Sequence, residues 1–136
     1  MALRFLRSQK ELITSRDLVQ AENPTVKADL LRTNPHLSSE NKQVEATQYQ
    51  VWMEDNGGFY EFRWSASITG SDDWEGLYPN DTAPDSEYIG GDNWQWATRG
   101  NSYKTSTPVT SAYQVRYLVW DGKAGQYVSV ARGQIR

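Results

Sequence analysis

Tyr49-Gln50-Val51-Trp52-Met53-Glu54-Asp55-Asn56-Gly57-Gly58-Phe59-Tyr60-Glu61-Phe62-Arg63-Trp64-Ser65-Ala66 is the stretch on which the fold turns. Tyr49, Val51 and Met53 fall at every second position, Asp55 to Gly58 supplies turn residues, and Tyr60, Phe62, Trp64, Ala66 and Ile68 repeat the period on the way back. A period of two sends successive side chains to opposite faces of a sheet, so the pattern predicts a hairpin with one face buried. A second hairpin is predicted near the end. There Tyr113, Val115, Tyr117 and Val119 alternate into Asp121-Gly122-Lys123-Ala124-Gly125, and Val128 and Val130 return. Between the two runs a long acidic region, rich in Gly and Pro, from Gly70 to Asn93, and helical spacing is hard to find anywhere after Tyr49. Short strands with frequent turns, in a chain of 136 residues that suffices for one core, predict a mainly β fold. The expected architecture is an antiparallel immunoglobulin-like β-sandwich.

Composition separates this region from what precedes it. All six Trp and all eight Tyr lie from Tyr49 onward, which divides the chain into an N-terminal extension, 1–46, and a sandwich domain, 47–136. In the extension Ser15 can cap a helix over Arg16 to Glu22, and Asn23-Pro24 can start another that runs to about Thr33 and stops at Asn34-Pro35. Thr25 to Thr33 reads equally as a strand, so the extension is expected as short helices or an extra strand, followed by a polar loop.

Charge bounds the function. With 14 Lys and Arg against 17 Asp and Glu the net charge is −3, and no basic cluster exists to displace counterions from phosphates, which argues against nucleic acid as a partner. The ten acids between Tyr49 and Thr98 accompany a single base, Arg63, whereas from Arg99 onward six bases accompany one acid, Asp121. Folding that brings these blocks together lets them offset each other. Cysteine is absent, which removes disulfides, thiolate nucleophiles and Cys-type zinc sites. No apolar run suits a secretory signal or a membrane span, so the expected location is the cytoplasm, or outside the cell by a route without a recognisable signal.

Catalysis has little inventory. The lone histidine, His36, sits in a polar stretch without an apparent partner for a Ser-His-acid arrangement. Asp72, Asp73, Glu75, Asp81, Asp85, Glu87 and Asp92 include no pair that the sequence selects for glycoside hydrolysis, and they read first as solvated charges and turn-formers. The one cofactor these loops suit is calcium, held by Asp72, Asp73, Asp81 and Asp85, because calcium takes roughly six to eight oxygens.

The aromatic residues carry more. Trp64 and Tyr117 fit an inner face, whereas Tyr88-Ile89-Gly90-Gly91-Asp92-Asn93-Trp94-Gln95-Trp96 mixes aromatic with polar loop residues. A sugar ring needs a plane for its C–H face and hydrogen-bonding groups for its hydroxyls. Trp94 and Trp96 are therefore the expected stacking platforms, with Tyr88 beside them, Asp92, Asn93 and Gln95 as hydrogen-bonders and Arg99 as a charged donor. The same set suits a protein ligand, including a homo-oligomer, and exposed Trp and Tyr would also suit a lipid surface or a pore. Alternatively Trp74 and one of Trp94 or Trp96 simply close the ends of the sandwich. The expected function is non-catalytic recognition of a glycan, with a protein-interaction or assembly module as the competing class.

The blocks Phe62-Arg63-Trp64-Ser65, Asp73-Trp74-Glu75-Gly76-Leu77-Tyr78, Trp94-Gln95-Trp96, Tyr113-Gln114-Val115-Arg116-Tyr117 and Ser129-Val130-Ala131-Arg132, taken in this order, resemble the SKICH-like sandwich. That domain occurs in some inositol polyphosphate phosphatases and autophagy receptors. The resemblance covers roughly residues 47–133 and implies that the block around Trp74 is a strand whose Trp packs in the core. It also implies an interaction or targeting module without shared catalytic residues. Glu75 stands where the family carries an apolar Ile or Val, and the first 46 residues have no counterpart.

Overall fold

The structure, a computed structural model, describes residues 23–33, 47–110 and 112–136. Seven strands follow in chain order: β1 (Tyr49–Asn56), β2 (Phe59–Ala66), β3 (Trp74–Tyr78), β4 (Trp94–Trp96), β5 (Ser102–Pro108), β6 (Gln114–Asp121) and β7 (Gln126–Gly133). The first hairpin forms as its period predicts, with Asn56 opposite Phe59 and a two-residue loop between them. Both loop glycines have positive φ, 65° at Gly57 and 93° at Gly58, as a tight hairpin turn of this hand requires. The second hairpin, β6 to β7, also forms where expected, with a register shift between Tyr117 and Leu118.

The strands make two antiparallel sheets, ordered β1-β2-β5 and β4-β3-β6-β7, packed face to face. The chain is thus a mainly β, immunoglobulin-like sandwich. Tyr60, Phe62 and Trp64 of β2 meet Val115, Tyr117 and Val119 of β6 in the core between the sheets. Ile68, expected to continue the inward series, lies past the end of β2 and is 48% exposed, because the strand has already ended at Ala66.

Beyond β7 the chain crosses to the other sheet. Met53 N donates to the carbonyl of Gln134 at 3.1 Å and Arg136 N to that of Met53 at 2.9 Å, a parallel bridge that closes one edge of the sandwich. Backbones approach so closely there that a Cβ on Gly133 would stand 1.9 Å from the carbonyl oxygen of Val51.

The segment at Asn23-Pro24 becomes a helix, α1 (Pro24–Thr33), which settles the helix-or-strand alternative. Asn23 Oδ1 accepts the amide of Val26 at 3.0 Å, and proline at the first helical position sacrifices no intrahelical bond. The expected helix over Arg16 to Glu22, and His36, lie outside the described residues. Leu31 of α1 joins Trp74, Tyr78, Trp96, Leu118 and Trp120 in a second core on the outer face of the four-stranded sheet. That sheet is therefore covered on both sides, and β3 is buried at every position. No helix among the described residues is long and apolar enough to cross a membrane.

Candidate functional site

Trp94 and Trp96, two residues apart on β4, project from the same face, their rings 5.1 Å apart and nearly perpendicular. They do not form the open pair of platforms that the sequence suggests. Trp96 is 2% exposed and belongs to the second core, with the ammonium of Lys27 4.9 Å from its ring centroid. Trp94 is half-buried against the same core. The physical reason is α1, which covers a face that period and composition alone leave open.

The polar residues beside them are spent on the backbone. Asp92 accepts Ser106 N at 3.1 Å through its carboxylate and Tyr103 OH at 2.7 Å through its carbonyl. Asn93 is buried, donating to the carbonyl of Gly90 at 2.9 Å and accepting Thr107 OH at 2.6 Å. Gln95 Oε1 accepts Trp96 N at 2.9 Å. Ser106 and Trp96 stand on β5 and β4, which border their sheets, and free amides on a border strand invite pairing with another chain. Asp92 and Gln95 therefore blunt these edges. Arg99 is exposed at the end of the 3-10 turn Ala97–Arg99.

The four acids expected to share calcium are distributed among separate partners. Asp72 pairs with Lys27 at 2.7 Å, both side chains almost wholly buried. Asp73 Oδ2 accepts the amide of Gly70 and the hydroxyl of Tyr117, each at 2.8 Å. Asp81 accepts Gln114 Nε2 at 3.2 Å and pairs with Arg132 at 2.9 Å, contacts that hold its carboxyl below the ordinary aspartate value. Asp85 binds Arg116 at 2.7 Å and Ser129 N at 2.9 Å, while the buried Arg116 guanidinium stacks 4.0 Å from the Tyr78 ring centroid. Among the described residues no three His, Cys, Asp or Glu converge to hold a metal ion. Asp81 and Asp85 meet the basic block through Arg132 and Arg116, whereas Asp72 is held by Lys27 and Asp73 by Gly70 N and Tyr117 OH.

A different site emerges between α1 and the outer face of the four-stranded sheet. A cleft of about 370 Å³ is walled by the rings of Trp74, Tyr88 and Tyr127, with Asp85, Ser86 and Gln126 as polar lining and Arg32 contributed by the helix. Tyr88 and Tyr127 both meet Trp74 edge-on, at 5.1 and 5.9 Å between ring centroids. Burial raises the pKa of both phenols, so they remain protonated. The Trp74 indole lies with its Cζ3 edge over Gly76, where a Cβ would come within 2.4 Å of that atom. Its opposite edge carries Nε1–H, a buried donor with no hydrogen-bond partner. Buried polar groups are nearly always paired, so this orphan donor, on the residue whose ring walls the cleft, is an exception.

Of the residues singled out from sequence, the cleft brings together Tyr88 and Asp85. Trp74, Tyr127, Ser86, Gln126 and Arg32 were missed as site residues. The available signal was Trp74-Glu75-Gly76: an indole followed two residues later by glycine on the same face of a strand has room to lie flat along it. No family model, curated protein or solved structure matches the chain.

Proposed function

We propose that the chain is a non-catalytic carbohydrate-recognition module whose site is the cleft beneath α1. The observation that carries this reading is an aromatic wall set beside hydroxyl, amide, carboxylate and guanidinium groups in one concavity. Sugar rings present apolar C–H patches and hydroxyls together, and this lining offers a counterpart to each. A volume of about 370 Å³ lies at the low end of the roughly 300–1,000 Å³ usual for small-molecule sites, suited to one or two sugar units. Hydrolysis would call for two carboxylates flanking a glycosidic bond. Among the described residues Asp85 is the one acid in the lining, and both of its oxygens are already engaged, which supports binding without turnover. The resemblance to SKICH-like modules, which serve in interaction or targeting without shared catalytic residues, supports the non-catalytic part of this reading alone.

A glycan array read with the whole chain, followed by calorimetry on any hit, tests the proposal. Tyr88→Ala is expected to weaken binding by about 1–2 kcal/mol, because it removes one ring of the wall. Its melting temperature should move little, since Tyr88 is only half-buried. An array without a hit, or a hit that Tyr88→Ala leaves unchanged, sinks the reading. Sedimentation showing a dimer that sugar does not perturb would favour the assembly class instead.

A further inference from the structure

Glu75 lies between Trp74 and Gly76 on β3. Trp74 belongs to the helix-side core and Leu77 to the core between the sheets, so strand alternation sends Glu75 inward, between the sheets. It is 0% exposed, and neither carboxylate oxygen has a hydrogen-bond partner among the described residues. Among the described residues the titratable groups that face it are acids and phenols. Asp73, just before β3, carries its carboxylate nearby; Tyr117 of β6 stands opposite in register; Tyr49 of β1 touches Tyr117 with ring centroids 4.8 Å apart. Gln95, its register partner on β4, accepts Trp96 N through Oε1 and makes no hydrogen bond to Glu75, and the indole N–H of Trp64 on β2 is committed to the carbonyl of Ala97 at 3.2 Å. The buried cations Lys27 and Arg116 are on the helix side of this sheet, against Trp96 and Tyr78.

An ionised carboxylate cannot be accommodated in such a place without a cation or several donors. We propose that Glu75 keeps its proton in the folded protein and acts as a pH-sensitive latch between the sheets. Protonated, it is a neutral filler of the core; ionised, it sets a second negative charge beside Asp73 and loosens the closure. Burial first, and the Asp73 carboxylate second, push its pKa well above the ordinary glutamate value, against a weak opposing pull from its own backbone amide.

The sign follows from proton counting. Above the ordinary glutamate range the unfolded chain has released this proton while the folded chain still holds it, so folding takes up one proton. The associated stability is complete below that range and is lost progressively as pH rises toward the folded-state pKa. Within the window each pH unit raises the unfolding constant about tenfold for this one group. The contribution of this one group is therefore greatest in mildly acidic surroundings, whatever occupies the cleft.

Urea unfolding of the whole chain and of Glu75→Gln, from about pH 5 to about pH 8, tests the latch. The amide is nearly isosteric and does not titrate, and every other group is common to both proteins. The expected result is a wild-type unfolding constant that climbs with pH relative to the variant, by about tenfold per pH unit until the folded-state pKa is approached. Parallel profiles overturn the proposal. Should Glu75→Gln fail to fold, carbon NMR of the wild-type carboxyl decides: a resonance still in the protonated position at neutral pH supports the latch, and titration in the ordinary glutamate range overturns it.

Discussion

The three-stranded sheet has protein on one face and water on the other, whereas the four-stranded sheet has protein on both. β2 accordingly alternates, with Tyr60, Phe62 and Trp64 buried and the residues between them partly open. β3 is buried from Trp74 through Tyr78, and β6 from Gln114 through Trp120. The same backbone geometry produces both outcomes. What differs is whether a distant segment, here α1, is available to cover the second face. Arg116, wholly buried on the covered face, shows the cost of the second arrangement: a charged group that would reach water on a half-open sheet must find partners, whereas Glu75 is buried between the sheets whichever way the outer face is treated. Arg116 finds Asp85, Gln114 and the carbonyl of Asn80, while Glu75 finds none.

Substitutions on the outward faces of the two sheets probe this contrast. Trp96→Ala, on the covered face, should cost about 3–5 kcal/mol, as expected for removing a fully buried indole, and guanidinium unfolding would read it as a lower midpoint with similar slope. Gly133→Ala attacks the seam where the sheets are joined. The clash with the Val51 carbonyl should cost about 1–3 kcal/mol, with hydrogen exchange accelerating first at the Met53 amide. Trp52→Ala, on the solvated face of β1, should cost at most about 1 kcal/mol, because it loses only a part-buried bond to Glu54 and an Arg136 guanidinium over its ring. A melting curve for Trp52→Ala as depressed as that of Trp96→Ala would show that the three-stranded sheet is covered as well, and the distinction would be lost.

The same contrast explains what could be read from the sequence. Both hairpins were legible, because one-sided burial writes a period of two into Tyr49–Ala66, and Asp55 to Gly58 announces the turn. Residue pattern alone left Gly70 to Asn93 as an acidic loop region; only the SKICH-like resemblance placed a strand around Trp74. Burial on both faces erases alternation, and Trp-Glu-Gly-Leu-Tyr has no period to detect. The candidate site was legible in part. Tyr88 stood out as an aromatic in a polar stretch and does line the cleft, but the face of Trp96 is hidden by a helix far away in the chain. Asp72 looked free for a metal because its partner, Lys27, lies in a segment whose own pattern was ambiguous between helix and strand. Opposite charge blocks foretold that pairs would form, though not which residues would form them.

The bridge between Met53 and Ile135 unites positions separated by most of the domain. Each hairpin needs only a short loop to close, a matter of microseconds, whereas this contact must wait until the ends of a long, entropically expensive circuit have met. Assembly should thus proceed from two early ribbons to a late clasp. Until Gly133 slides beneath Val51 the folding chain has two sheets with an unsealed border, the interval in which it is most exposed to self-association.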